Sequence, residues 1–370
     1  MNNTDNIVSE SKMNKEWLES LINSMSDSVI AVDSTYNIIH YNAASLSLLD
    51  TNISIINQPI DQVVILIDKN NKVVEMKSLL KQINNSFFDD ELFMEYKSDK
   101  SRINVSLSIS PVHLGFGRDH SGYVLVIKDI TREKSIDEER DEFISVVSHE
   151  LRNPIAVAEG NLSNIKYALE HKKDITNFNR AIDQSYEQII FLSNLINDLT
   201  SLNRAEKNKI PDTIDQINPK NLVDDLIIES KAKIEEKGLQ IIAKNDPNLE
   251  VFNSSLVYVK EILQNFITNA IKYSDSGTII ISCHKMKDHI KFSVTDNGIG
   301  ISKADQGKVF DKFFRAEDYR TSKTTGTGLG LYISQKLAKI LCSEITFESV
   351  INHGSTFNLI LPMKLDDKHK

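Results

Sequence analysis

Ile144-Ser145-Val146-Val147-Ser148-His149-Glu150-Leu151-Arg152-Asn153-Pro154-Ile155 carries a helical pattern with one residue out of place. Ile144, Val147, Leu151, Ile155, Ala158, Leu162, Ile165 and Leu169 advance by three or four positions each time, the period of an amphipathic helix. A second run follows with Phe178, Ile182, Ile189, Leu192, Ile196 and Leu199, and Glu170 to Thr176 is the polar break between them. Pro and Gly are nearly absent from Thr131 to Lys207. Two long helices in a hairpin have a wide apolar stripe and too little mass to cover it. Pairing two hairpins into a four-helix bundle solves that problem, so a homodimer is expected.

His149 is the residue that does not fit. At about 100° per residue it lies well off the stripe of Ile144, Val147, Leu151 and Ile155, and so faces solvent. Asn153 shares its face one turn on, Glu150 lies on its flank, and Pro154 removes a backbone hydrogen bond and bends the rod. Glu150 can orient the imidazole and accept its proton, which leaves the other ring nitrogen free to attack a phosphoryl group. A lone surface histidine on a helix ordinarily does nothing, so the weight rests on what surrounds it.

Upstream the texture is mixed. Val29 to Val32 and Ile38 to Tyr41 read as strands around a turn at Asp33 to Asn37. Ile103, Val105, Leu107 and Ile109 alternate with polar residues, and Tyr123 to Ile127 adds another strand. A small antiparallel sheet with helices on one side is expected. Downstream of a linker around Ile210 to Asp212, the chain reads as an α/β sandwich. Leu222 to Lys237, Leu256 to Lys272 and Tyr332 to Ile340 are its helices. Thr278 to Ser282, Ile290 to Thr295, Glu344 to Glu348 and Thr356 to Leu361 are its strands.

Three clusters in that last third converge on nucleotide chemistry. Asn265, Asn269 and Lys272 fall on one helical stripe, with Tyr273 next to it. Amide oxygens suit the hard magnesium ion, and an ammonium suits phosphate. Asp296-Asn297-Gly298-Ile299-Gly300-Ile301 follows a strand, where Asp296 can accept from an adenine amino group while the glycines admit close backbone approach. Gly326-Thr327-Gly328-Leu329-Gly330-Leu331 leads into a helix whose free amides can cradle phosphates. Each cluster alone is weak, since a glycine-rich turn is more often only a turn. No βαβ unit with a downstream acid supports a dinucleotide site.

Taken in order, these residues resemble the sensor histidine kinases of two-component systems. His-Glu-Leu-Arg-Asn-Pro at 149–154 looks like their H-box, and the three clusters look like the N, G1 and G2 boxes of their Bergerat-type (GHKL) ATP domain. Val309-Phe310-Asp311-Lys312-Phe313-Phe314-Arg315 resembles the F box, and Ala316 to Thr325 would be the mobile lid. The resemblance implies that His149 is phosphorylated with help from Glu150, and that Asn153 positions water to dephosphorylate the partner. It implies further that Asn269 chelates magnesium, Asp296 reads adenine, Tyr273 packs on the base, and Lys272 and Arg315 handle phosphates. Phe313 and Phe314 would anchor the lid. Asn265 stands where hydrolytic relatives keep a water-activating acid, and an amide cannot take a proton. Ser254-Ser255 replace the acid often found at the start of the N-box helix, and either can cap it. Asp27 to Asp33, Tyr41-Asn42-Ala43-Ala44 and Asp129-Ile130-Thr131 resemble a PAS sensor, with the Asp129–Thr131 corner pinning the last strand to the outgoing helix.

The expected fold class is therefore multidomain α+β. Residues 1–14 are disordered, 15–130 a PAS-like sheet with helices, and 131–142 a signalling helix. Residues 143–208 form the α-helical hairpin of the dimeric four-helix bundle, 213–364 the Bergerat α/β sandwich, and 365–370 a tail. ATP and Mg2+ are the expected cofactors, and the receiver domain of a response regulator the expected partner. A net charge of -9 argues against nucleic acid. No apolar run approaches the ~20 residues of a membrane helix, and the first ten residues lack a secretory pattern. Cys283 and Cys342 alone offer no disulfide framework, so a cytoplasmic chain is expected. A silent signalling adaptor of the same fold, or a GHKL ATPase, are the alternatives. The first would lack His149, Asn269, Asp296 or Gly328, and the second would need an acid at Asn265. His40, His113 and His120 are nominal heme ligands but read as surface or turn residues.

Overall fold

A computed structural model describes residues 13–14, 16–83, 85–96, 98–113, 121–171, 178–207, 214–316 and 326–364. The disorder expected over 1–12, the turn at 172–177, the linker around 210–212, the lid over 317–325, His120 and the tail at 365–370 lie outside them. Residues 13 and 14, expected to be disordered, are helical. The chain divides into two compact units, Met1–Val146 and Val147–Lys370.

The first unit is one antiparallel sheet. Its strands are β1 (Ser28–Val32), β2 (Ile38–Tyr41), β3 (Leu66–Ile67), β4 (Phe87–Glu95), β5 (Arg102–His113) and β6 (Ser121–Asp129), ordered β2-β1-β6-β5-β4-β3. Helices α1 (Ala43–Leu48), α2 (Ile60–Val63) and α3 (Met76–Gln82) lie between β2 and β4 in the chain. The turn after β1 closes because Asp33 Oδ1 accepts from the amides of Thr35 (2.8 Å) and Asn37 (3.0 Å). Asn42 caps α1 by accepting from Ser45 N, and its Nδ2 donates to the Asp27 carbonyl (2.8 Å). Alternation on β1, β5 and β6 sends Ile30, Val32, Val105, Leu107, Ile109, Leu125 and Ile127 into a wholly apolar core.

At the end of β6 the Asp129–Thr131 corner forms as expected. Thr131 N donates to Asp129 Oδ1 (2.9 Å), while Thr131 Oγ1 accepts from Asn104 N on β5 (2.9 Å). From this corner α4 (Thr131–Glu170) runs 40 residues without interruption, so the signalling helix and the His149 helix are one rod.

In the second unit the remainder of α4 is followed by α5 (Phe178–Glu206). Ile155, Leu162 and Leu169 on α4, and Ile182, Ile189 and Ile196 on α5, recur every seven residues and stay 50% to 61% exposed. One chain leaves this stripe bare, which is what the dimer expectation requires. A second face of α5, carrying Leu195, Leu202 and Ala205, is buried.

Beyond the helical pair, α6 (Pro219–Glu236), α7 (Leu256–Tyr273) and α8 (Gly330–Ile340) accompany a five-stranded sheet. Its strands are β8 (Gln240–Asn245), β10 (Thr278–Lys285), β11 (His289–Thr295), β12 (Glu344–Val350) and β13 (Gly354–Pro362), ordered β12-β13-β11-β10-β8, with β8 parallel to β10. A separate pair joins β7 (Asp215–Ile217) to β9 (Phe252–Ser254). On α7, Val259, Ile262, Leu263, Phe266, Ile267 and Ala270 form the buried face, and Phe266 meets Phe357 of β13 at 5.4 Å between ring centroids. Truncating a ring so placed costs ~3–5 kcal/mol, so this packing fixes the α7 residues that face away from the sheet.

Candidate active site

His149 is exposed, as is Asn153, and Glu150 is half-buried beside it, in keeping with the helical phase. Pro154 is buried inside α4. The His149 imidazole therefore stands on a continuous helix with its ring exposed.

The three glycine and asparagine clusters are separated in sequence but meet in space. α7 presents Asn265, Asn269 and Lys272 along one side. A Cβ on Gly326 would land on Lys272 Nζ, and one on Gly330 would strike the Asn265 amide. These contacts put the start of α8 against α7. Gly298 sits under the Tyr273 carbonyl and Asp296 Oδ1, so no larger residue fits there. Ile299 N donates to that same carbonyl (3.1 Å), which ties the 296–301 segment to the end of α7. Gly328, at φ +71°, lies on the backbone of Phe313, itself at φ +60°. Phe313 is half-buried, and the lid it is expected to anchor lies outside the described residues.

Asp296 is buried. Its Oδ1 accepts from the amides of Gly298 (2.8 Å) and Ser355 (3.2 Å), which fixes the carboxylate and leaves Oδ2 outside both bonds. Burial raises its pKa, while the two amides pull the other way. Lys272 is drawn down to about 8, first by burial and then by repulsion from Arg315 and Lys237. Its ammonium lies 4.9 Å from the centroid of the Tyr273 ring.

Asn269 Nδ2 points at Asn265 Oδ1 (3.4 Å), which turns its own Oδ1 away from Asn265 as a hard oxygen donor suited to magnesium. Asn265 itself is engaged at both ends. Its Nδ2 donates to Ser334 Oγ (2.8 Å) on α8 and its Oδ1 packs on Gly330. It brackets α7 to α8 rather than reaching into open space. Leu329 is fully buried, and its N donates to Thr327 Oγ1 (3.3 Å). The first-turn amides of α8 have no partners within the helix, by geometry. Arg315 is exposed at the edge of the described segment.

The capping expectation at the start of α7 fails. Ser255 occupies the N-cap without a side-chain bond, and Ser254 Oγ is buried without a partner. Asp215 Oδ2 accepts from Leu256 N instead. The acid that the sequence lacks at this point arrives from β7. Other residues that spacing did not point to are Lys237, whose Nζ donates to the carbonyls of Ile271 (2.9 Å) and Lys272 (3.0 Å), and Asp198, which accepts from Thr327 Oγ1 (2.6 Å).

Residues 256–365 match the family of histidine kinase-, DNA gyrase B- and HSP90-like ATPases, 139–208 the His Kinase A (phospho-acceptor) domain, and 26–132 the PAS domain. These modules are those of a sensor histidine kinase. Among relatives of the chain, the sensor histidine kinase WalK of Bacillus subtilis is 31% identical over 94% of this chain and 55% of its own length. The sensor protein SrrB of Staphylococcus aureus is 27% identical over 94% of this chain and 56% of its own. The chain thus spans about half the length of the curated relatives it matches. The solved histidine kinase AdeS of Acinetobacter baumannii shares 23% identity at a TM-score of 0.47, over 58% of this chain and 98% of that one. No helix among the described residues is long and apolar enough to cross a membrane.

Proposed function

We propose that this chain transfers the γ-phosphoryl group of ATP to His149 and then to an aspartate on the receiver domain of a response regulator. The observation that carries the reading is an exposed His149 in a chain whose 296–301 and 326–330 segments both lie against the 265–273 helix. Asp296 Oδ2 accepts from the adenine amino group, and the Tyr273 ring lies against the base. Lys272, the α8 amides and Arg315 neutralise the phosphates, and Glu150 holds the imidazole and takes its proton. Magnesium, held through Asn269 Oδ1, supplies charge neutralisation on the phosphate chain. With both ends of Asn265 engaged and an amide rather than a carboxylate in that position, Asn265 offers no base to a water, and transfer to histidine is favoured over hydrolysis. Asn153, one turn from His149, serves dephosphorylation of the regulator. The bare heptad stripe of α4 and α5 makes the working species a homodimer. The chain acts in the cytoplasm, where ATP is available.

Incubation with γ-labelled ATP and magnesium should place acid-labile, base-stable label on the native chain and none on His149→Gln. Label that persists in His149→Gln would overturn the assignment. A purified receiver domain should discharge the label, and Asn153→Ala should slow the later loss of phosphate from that receiver.

A further inference from the structure

Asp198 lies on α5, on the side that carries the buried residues Leu195, Leu202 and Ala205, and α5 packs there against α8. Its Oδ2 accepts from Thr327 Oγ1 at 2.6 Å, a contact across 129 positions of sequence. The same hydroxyl accepts from Leu329 N (3.3 Å), so its single proton is committed to Asp198. Burial raises the Asp198 pKa, the Thr327 hydrogen bond opposes this, and the nearby charge of Glu261 adds to it.

Thr327 belongs to the segment read above as the phosphate cradle. A triphosphate at the α8 amides brings several negative charges toward Asp198 and competes for that one proton. We infer that Asp198 is a nucleotide-sensing positioning residue. It holds the 326–330 segment against α5 when nucleotide is absent, and loses it when phosphate oxygens take the Thr327 hydroxyl. The inference rests on the cradle reading of 326–330. A contact that nucleotide must break lowers nucleotide affinity, and nucleotide weakens the contact by the same factor. Removing the carboxylate should therefore tighten binding, a sign opposite to that of structural damage.

The test is calorimetric titration of the full chain with magnesium and a non-hydrolysable ATP analogue, using native protein, Asp198→Ala and Asp198→Asn. Asp198→Ala should bind about five- to tenfold tighter than native, the order of one net hydrogen bond. Asp198→Asn keeps an acceptor oxygen without the charge and should fall between the two. Hydrogen exchange on α5 around Asp198 should quicken with the analogue in native protein and stay unchanged by it in Asp198→Ala. Equal or weaker binding by both variants, with native binding intact, overturns the inference; should Asp198→Ala fail to fold, Asp198→Asn alone decides. Absence of binding by native protein would instead overturn the nucleotide reading.

Discussion

Leu256 N donates to Asp215 Oδ2 at 3.1 Å, so the helix bearing Asn265, Asn269 and Lys272 takes its N-terminal cap from a strand far upstream. A carboxylate there also meets the positive end of the helix dipole. Asp215→Ala should destabilise the ATP-binding module by ~1 kcal/mol, and Asp215→Asn should recover part of it, since its amide oxygen still accepts. Calorimetry reads this in the unfolding transition that rises when an ATP analogue is added. An unshifted transition in Asp215→Ala would show that the cap contributes nothing.

Lys272 gives the pH dependence its sign. Its pKa is lowered to about 8, chiefly by burial, from the usual lysine value of 10.5. Phosphate needs the charged form, so affinity for the magnesium–ATP analogue should hold below pH ~8 and decline above it with a one-proton slope. Stability of the free chain moves the other way. Between pH ~8 and ~10.5 the unfolded lysine still holds the proton that the folded one has lost, so stability rises with pH. Lys272→Arg should keep its charge and flatten the binding profile. Affinity measured from pH 6 to 10 checks both variants, and an unchanged profile in Lys272→Arg would assign the titration elsewhere.

Lys237 should act on the same profile from a distance. Its ammonium ties down the carbonyls of Ile271 and Lys272 at the end of α7 and is one of the charges that depress Lys272. Lys237→Met should weaken analogue binding about three- to tenfold, the order of one net hydrogen bond. It should also move the Lys272 midpoint upward, because one repelling neighbour is gone. A purely structural effect would weaken binding without moving the midpoint.

The bare heptad stripe predicts assembly. Leu162→Glu together with Ile189→Glu puts charge where a second hairpin is expected to pack. Light scattering after size exclusion should show a dimer for the native chain and a monomer for the double variant. Because the buried Leu195–Leu202 face of α5 is untouched, the variant should still bind the ATP analogue.

Spacing within the sequence revealed what depends on local period. The off-stripe position of His149, the alternating strands around Val105 and Leu125, and the α7 stripe all follow from it. β4 escaped because its pairing with β5 shifts register between Asp89 and Leu92, which breaks the two-residue period at Asp89-Asp90-Glu91. β7 and β9 have three residues each, too few to show any period. β8 is an edge strand with none of its residues buried and four of the six exposed, so it lacks the apolar alternation that marks a strand. For the candidate site, composition supplied Asn269, Lys272, Asp296 and the glycines. It could not supply Asp215, Lys237 or Asp198, because each acts on a residue more than 30 positions away.

The unbroken helix from Thr131 to Glu170 makes linker length an angular quantity. Inserting one residue between 132 and 141 turns the helix face that carries His149 by about 100° relative to the face at Thr131, and advances it by ~1.5 Å along the helix axis. Seven residues return the azimuth to within about 20° of its starting value. Output measured across a ladder of insertions should therefore oscillate with linker length rather than decay, with the His149 face coming back into phase once per heptad.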